Sequence, residues 1–349
     1  MPLTTPRAFQ HWMRDFFEAS LALELHDNAG AQAMYLRLAA DFPTSGYVAT
    51  QVATAQYGLR AFDAAAAAFE SIARAEPFRL EGMDTYSNIL YVKEASAALS
   101  GLAHDAVATD KYRPETCCIV GNYYSLKGAH DKAVLYFRRA LKLNPACLSA
   151  WTLMGHEYVE MKNLGAAVEA YRGAVALSER DYRAWYGLGQ TYELLGLPLY
   201  ALHYYGRAAA LRPGDARMWC AIGQCYESEQ LGRADAAVRC YRRALANDDR
   251  EGIALAKLAK LHASMGQRDE AAHFHRLNLQ RLDDDHAEGS ELVEALQFLA
   301  QYAKECGRLQ EAEKYCTRLL DFGGPAKEAA KALLREIRTA AAGASPMDA

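Results

Sequence analysis

Residues 180–196 read RDYRAWYGLGQTYELLG, and two incompatible structures compete for them. The pair Gly187 and Gly189 suggests a phosphate-cradling loop, whereas the aromatic residues around it suggest a ligand-stacking platform or a helix packed on other helices. A phosphate loop needs a buried strand before its first glycine and the full G-x-G-x-x-G spacing, so that backbone N–H groups converge at a helix start. Here Gly189 is followed by Gln190, Thr191, Tyr192 and Glu193, and the residues before Gly187 are too polar for a central parallel strand. Glycines that let helices approach one another remain as the explanation.

The same pattern recurs along the chain. Pro43, Pro77, Pro145 and Pro213 are separated by 34, 68 and 68 residues, each a multiple of 34. That period is the tetratricopeptide repeat, which sets a large residue, a small one, a tyrosine, an alanine, an aromatic, another alanine and a terminal proline at fixed offsets. Trp151, Gly155, Tyr158, Ala167, Tyr171 and Ala174 fill those offsets, and Trp185, Gly189, Tyr192, Ala201, Tyr205, Ala208 and Pro213 fill them again. One unit earlier stand Gly121, Tyr124, Ala133, Phe137, Ala140 and Pro145, with Cys117 in place of the tryptophan. The small residues allow two antiparallel helices to approach closely, the rings fill the space beside that contact, and the proline ends the second helix.

The frame places an N-terminal lead-in at 1–11 and eight repeats over 12–285, at 12–45, 46–79, 80–113, 114–147, 148–181, 182–215, 216–251 and 252–285. A loop or bend follows at 286–292, within the polar stretch DDDHAEGSEL (283–292), then a degenerate ninth repeat at 293–326, a capping helix at 327–342 and a disordered tail at 343–349. The unit at 80–113 lacks the alanine and aromatic of its second helix, and the seventh unit carries two extra residues in the turn ESEQLGRAD. The fold expected is all-α: a right-handed tetratricopeptide superhelix of about nine helix pairs, each pair built from helices of about 13 residues, closed by the capping helix.

Composition narrows the function. Of 349 residues 51% are hydrophobic and 23% charged, and the net charge of −4 disfavours a phosphate-backbone binder, so nucleic acid is not an expected partner. No apolar run approaches the about 18 residues of a membrane span, and MPLTTPRAFQHWMRDFF lacks the apolar core of a secretory leader, so a soluble place in nucleus and cytoplasm is expected. The eight cysteines form no C-x-x-C pair and no zinc spacing, and read as reduced, mostly buried small residues. His273 and His275 lie two apart, roughly 200° around a helix, and cannot hold one metal together; His156 and Glu160 lack the second histidine of H-E-x-x-H. No catalytic constellation, cofactor motif or metal site is expected, and an enzyme with a repeat appendage would need a second domain for which no stretch is long enough.

A superhelix of this kind offers a concave groove lined by the first helix of each unit, suited to extended peptides. The ninth residues of successive units, Asn122, His156, Gln190, Gln224 and Lys260, point there, and four of them both donate and accept hydrogen bonds. Three positions on, Ser125, Val159, Glu193, Glu227 and Ala263 add two carboxylates that an arginine on a ligand would pair with. A co-chaperone adaptor gripping a peptide's terminal carboxylate would need lysine and arginine beside asparagine, whereas the rows run Glu115, Cys118, Asn122 and Ser149, Thr152, His156.

Four runs go beyond any repeat consensus: RLEGMDTYSNILYV (79–92), DKYRPETCCIVGNYYSL (110–126), RALKLNPACLSAWTLMGHEYVEMKN (139–163) and RDYRAWYGLGQTYELL (180–195). With HWMRDFF and KALLREI at the flanks, they resemble the subunit-eight family of cell-division-cycle scaffolds in the anaphase-promoting complex, or cyclosome, over about residues 8–338. The resemblance implies a non-catalytic subunit of a ubiquitin ligase that promotes degradation of mitotic regulators, with other subunits of that complex as partners. It also implies a groove that accepts the basic C-box of activator proteins, carried here by Asn122, His156, Glu157, Tyr186, Gln190, Glu193, Gln224 and Glu227. Members of that family carry a further N-terminal repeat block that forms a homodimer, and this chain starts downstream of it, which leaves homodimerisation open. A sister scaffold subunit of the same ligase is the nearest alternative.

Overall fold

The computed structural model describes residues 6–287 and 289–343, and among them every regular element is an α-helix. Nineteen helices follow in chain order. The first six are α1 (Pro6–Glu24), α2 (Asn28–Asp41), α3 (Gly46–Gly58), α4 (Phe62–Ala75), α5 (Met83–Val92) and α6 (Ser96–Asp110). The regular repeats contribute α7 (Pro114–Leu126), α8 (His130–Leu143), α9 (Leu148–Glu160), α10 (Leu164–Leu177), α11 (Tyr182–Leu194) and α12 (Pro198–Leu211). Then come α13 (Ala216–Glu227), α14 (Ala234–Ala246), α15 (Ile253–Ser264), α16 (Arg268–Asp284), α17 (Ser290–Glu305), α18 (Leu309–Leu319) and α19 (Pro325–Gly343). Of the bend expected at 286–292, the described residues 286, 287 and 289 fall between α16 and α17, whereas 290–292 already belong to α17; the tail expected at 343–349 lies outside the described residues apart from Gly343, where α19 ends. The extra residues of the seventh repeat fall in the connection 228–233 between α13 and α14. The helices group into two compact units, Met1–Arg212 and Pro213–Ala349.

In the first unit the two glycines of the opening stretch have separate packing jobs. A Cβ built on Gly189 would lie 2.4 Å from the ring of Tyr205, the aromatic of its own repeat. A Cβ on Gly187 would lie 2.4 Å from Tyr171, the aromatic of the repeat before. Tyr171 is also met by Gly155 at 2.5 Å, so its ring is held between α9 and α11 and is wholly buried. Each such ring contributes about 2–3 kcal/mol by leaving water. Gly121 against Phe137 repeats the contact one unit earlier.

The irregular repeat at 80–113 uses the same register with sizes exchanged. Ser87 takes the small position of α5, Leu99 stands where the alanine is otherwise found, and Ala103 replaces the ring, all buried. Leu99 and Ala103 share one buried cluster with Ile89 and Leu90 of α5, so a large residue is kept in the core of the pair one turn earlier along α6.

Tryptophan adds a tie between consecutive repeats. Trp151 Nε1 donates to the Pro145 carbonyl at 3.2 Å and Trp185 Nε1 to the Glu179 carbonyl at 2.8 Å. Each satisfies a carbonyl left over where a second helix has ended. The first unit also folds back on itself. His26 Nε2 lies 2.7 Å from the Arg180 carbonyl, its ring meets Tyr182 edge-on at 5.2 Å, and Arg212 donates to the Gly58 carbonyl at 3.2 Å.

In the second unit Gly223 admits the buried ring of Tyr241 in the same way, and Trp219 Nε1 donates to the Pro213 carbonyl at 2.9 Å. In the following repeat the aromatic position is His275, buried and stacked on Phe298 at 4.5 Å. Burial lowers its pKa to about 4; Glu294 opposes that shift and Lys260 adds to it. A later α19 packs on α17 and α18, with Ala330, Leu334 and Ile337 buried.

Two expected outcomes follow from this packing. Gly187→Ala or Gly189→Ala, read by urea unfolding, should each destabilise the chain by about 1–3 kcal/mol, because a buried ring must move. Gly101→Ala in α6, where a Cβ meets nothing within 4 Å, should instead stabilise by about 0.5–1 kcal/mol. As for pH, His275 binds its proton less readily folded, at about 4, than at its ordinary 6.5. Its neutral form therefore supports the fold fully above pH 6.5, and that support is lost as pH falls towards 4, on the order of 2 kcal/mol. Between pH 7 and 4.5, His275→Phe should lose less stability than the parent chain does.

Candidate functional site

The residues expected to line a peptide groove fall into three groups once their partners are seen. Asn122 and Glu157 are used internally, which corrects the expectation that they face a ligand. Asn122 is 2% exposed and donates at 2.7 Å both to Ser87 Oγ and to Asn88 Oδ1, so it ties α7 to α5. Glu157 is also buried, and accepts from Ser125 Oγ at 2.6 Å while its other oxygen lies 2.8 Å from His130 Nδ1. Both pairings arise because buried polar atoms must find partners, and a 34-residue register sets polar side chains of neighbouring repeats side by side.

Serine, glutamate and histidine thus meet, but in an order that cannot activate a nucleophile. A hydrolytic triad needs the histidine between hydroxyl and carboxylate, so that the imidazole takes the hydroxyl proton. Here Glu157 stands in the middle, and the Ser125 hydroxyl donates its hydrogen bond to the carboxylate rather than to the imidazole.

The second group keeps solvent access and leans on the buried rings. His156 and Gln190 are exposed, and Tyr186 is half-buried with its ring 5.2 Å from that of Tyr205. Tyr171 and His156 Nδ1 share a hydrogen bond of 2.8 Å, and Tyr205 donates to Glu193 Oε2 at 2.6 Å. Burial holds the Tyr171 phenol far above its ordinary pKa, so it keeps its proton and donates to the tautomer of His156 protonated on Nε2. The protein packed around His156, with Arg183 nearby, lowers the imidazole's pKa below its ordinary value and leaves it neutral at pH 7. Each ring therefore does two jobs: its carbon edge fills the helix contact and its hydroxyl orients a polar side chain of the first helix.

The charges beside this row are paired. Asp181 is buried and accepts from Thr152 Oγ1 at 3.1 Å and from Arg183 Nε at 3.1 Å. Glu193 is thus the partly exposed carboxylate of the row in this unit. A cleft of about 290 Å³ opens where the first unit folds back, lined among others by His26, Tyr57, Asp181, Tyr182 and Arg183.

The third group belongs to the second unit. Gln224 and Glu227 are half-buried on α13. Glu227 Oε2 accepts from Tyr241 at 2.8 Å and pairs with Lys257 at 3.3 Å, so a lysine of the protein itself already meets the charge intended for a ligand. Lys260 likewise pairs with Glu294 at 2.7 Å. Sequence reasoning placed these residues on the first helices but not their partners, which lie 14 to 34 residues away.

Among the described residues no cluster of three metal-ligating side chains exists, and no helix is long and apolar enough to cross a membrane. All eight cysteines are free thiols. Burial pushes Cys220 up to about 12 and Cys316 to about 11, while Cys306 is exposed, an exception to the buried setting expected. His273 and His275 sit on different sides of α16, the first exposed and the second buried.

Comparison with known proteins agrees with the repeat reading. A family model described as "TPR repeat" matches residues 155–196, and one described as "Tetratricopeptide repeat" matches 114–147 and 216–250. The chain is 62% identical over 338 residues to "Anaphase-promoting complex subunit 8" of Arabidopsis thaliana, covering 97% of this chain and 58% of that protein. It is 56% identical over 340 residues to the protein of the same description from Dictyostelium discoideum, covering 97% of this chain and 56% of that one. The chain therefore spans less than two thirds of these relatives' own length. A solved structure described as "APC/C hetero-tetramer Cut9-Hcn1" superposes with a TM-score of 0.63 at 18% identity, over 88% of this chain and 59% of that one, and shares the tetratricopeptide fold.

The internal pairing has a measurable cost when broken. Glu157→Ala would leave Ser125 and His130 without their acceptor and should lower stability by about 1–3 kcal/mol. Gln190→Ala, which removes an exposed side chain, should stay within about 0.5 kcal/mol of the parent in the same denaturant titration.

Proposed function

We propose that this chain, a relative of the anaphase-promoting complex subunit 8 proteins, is a non-catalytic scaffold subunit of that ubiquitin ligase and receives the basic C-box segment of an activator protein. The observation that carries the scaffold reading is sequence identity of 62% sustained over 97% of the chain, a larger share than the few consensus positions of each repeat account for. The chemistry of the described residues fits a binding role. Polar side chains are oriented by buried phenols, and the one serine–acid–histidine meeting is wired in an order that does not generate a nucleophile.

The peptide reading rests on His156, Tyr186, Gln190 and Glu193. Neutral His156 and Gln190 offer donors and acceptors to a peptide main chain, Tyr186 an aromatic face, and Glu193 a carboxylate already oriented by Tyr205 for an incoming guanidinium. Asn122 and Glu157 act one layer below, fixing the helices that present these groups.

Affinity purification of the chain from cells, followed by mass spectrometry, tests the scaffold reading: cullin-like and RING-type ligase subunits should co-purify, and their absence would reject it. Fluorescence titration with an arginine-bearing C-box peptide tests the groove. Glu193→Lys should weaken binding about tenfold at low salt and by less at high salt. An unchanged affinity at low salt would remove Glu193 from the site.

A further inference from the structure

The turn between α11 and α12 differs from its counterparts. Leu194, Leu195, Gly196, Leu197, Pro198, Leu199 and Tyr200 contain no charged or amide side chain, whereas the corresponding turns carry Lys127, Lys162, Glu229 and Arg268. Leu199 is 68% exposed, Tyr200 58% and Leu194 51%, with Leu195 and Leu197 above 40%. Five large apolar side chains held in water within seven residues is the kind of patch a soluble surface keeps for a partner. The helix that follows continues it: α12, PLYALHYYGRAAAL, has no carboxylate, while α8, α10 and α14 carry Asp131, Glu169 and Asp235.

The patch is also rigid, and its rim is positive. Tyr192 is stacked between Tyr200 at 5.5 Å and Tyr204 at 5.1 Å, and Tyr204 stacks in turn on Trp185 at 6.0 Å. Arg172 donates to Tyr192 Oη at 3.0 Å, and Arg207 lies 5.1 Å over the Trp185 ring. Aromatic and arginine anchors fixed before binding cost little ordering entropy and are the residue types that dominate interface energies. With cations at the rim and no acid on α12, the complementary surface is apolar with carboxylates beside it.

We propose that the turn 194–200 and the adjoining face of α12 dock an amphipathic helix of a different polypeptide, whose apolar stripe is flanked by aspartate or glutamate. This extends the scaffold reading, on which it rests, by assigning one surface to one neighbour. The helix's leucine-type stripe would cover Leu195, Leu199 and Tyr200, while its acids meet Arg172 and Arg207.

The test places the photo-crosslinking amino acid p-benzoylphenylalanine at Leu199 in the full chain, purified with whatever assembly it joins, and at Leu135 on the charged face of α8 as the control. Irradiation should join position 199 to a segment of another polypeptide with apolar residues at helical spacing and acids beside them, and position 135 should give no such product. Arg207→Glu combined with Leu199→Glu should release that same neighbour while the thermal midpoint stays unchanged. The inference is overturned by no interchain product at 199, by a product with a second copy of this chain, by a target segment lacking carboxylates, or by equal yields at 135. If no other chain co-purifies, the scaffold reading fails first; if others co-purify and 199 stays unlinked, only the docking surface is lost.

Discussion

A tyrosine ring lodged against a glycine is the contact on which the regular repeats depend. Tyr171 is pressed between Gly155 of its own repeat and Gly187 of the next, so a single side chain sets both the distance within a helix pair and the distance between pairs. Helices approach to that separation only if one surface has no Cβ and the other supplies a flat, stiff filler. The same ring ends in a hydroxyl, which must find a partner once its carbon frame is buried. In Tyr171 and Tyr205 that partner is a polar residue on the first helix, His156 and Glu193. Packing and surface chemistry are thus joined through one residue, and the orientation of the candidate peptide-binding row is inherited from the core.

Polar residues deeper in the array serve the register of the helices. Asn122 reaches back to Ser87 and Asn88, Glu157 to Ser125 and His130, and Asp181 to Thr152 and Arg183. Asn122 and Glu157 each join one repeat to its neighbour, and Asp181 ties Thr152 of its own repeat to Arg183 at the start of the next. Apolar contacts between helices rich in alanine tolerate a shift; a buried carboxylate with two donors does not. The repeats with the strongest aromatic packing and those with the strongest polar ties overlap at α7 to α11, where the first unit is most regular.

The outer surface follows a different logic. Most turns between paired helices carry a charge, as the solvent-facing end of a helical array must remain soluble. The α11–α12 turn does not, and it is attached to a stack of four aromatic rings. Residues that a consensus treats as internal packing, Trp185, Tyr192 and Tyr204, extend outward to Tyr200 and make that surface stiff.

Much of the fold was legible because its period is written in residue size. Gly155, Gly189, Ala167 and Ala201 recur at fixed offsets, and a helix pair cannot close without them. The irregular repeat at 80–113 was harder to read, because Leu99 and Ala103 exchange the sizes expected, and only the volume of the space between α5 and α6 makes that exchange sensible. The candidate site was legible in part. The spacing put Gln190, His156 and Glu193 on first helices, yet it also put Asn122 in the same row, and the family resemblance added Glu157 beside it. Spacing along one helix fixes the direction in which a side chain leaves the backbone, which the sequence by itself determined. Whether that side chain reaches solvent or a partner 32 to 35 residues away depends on how close the next repeat comes, and only the tertiary structure decided it.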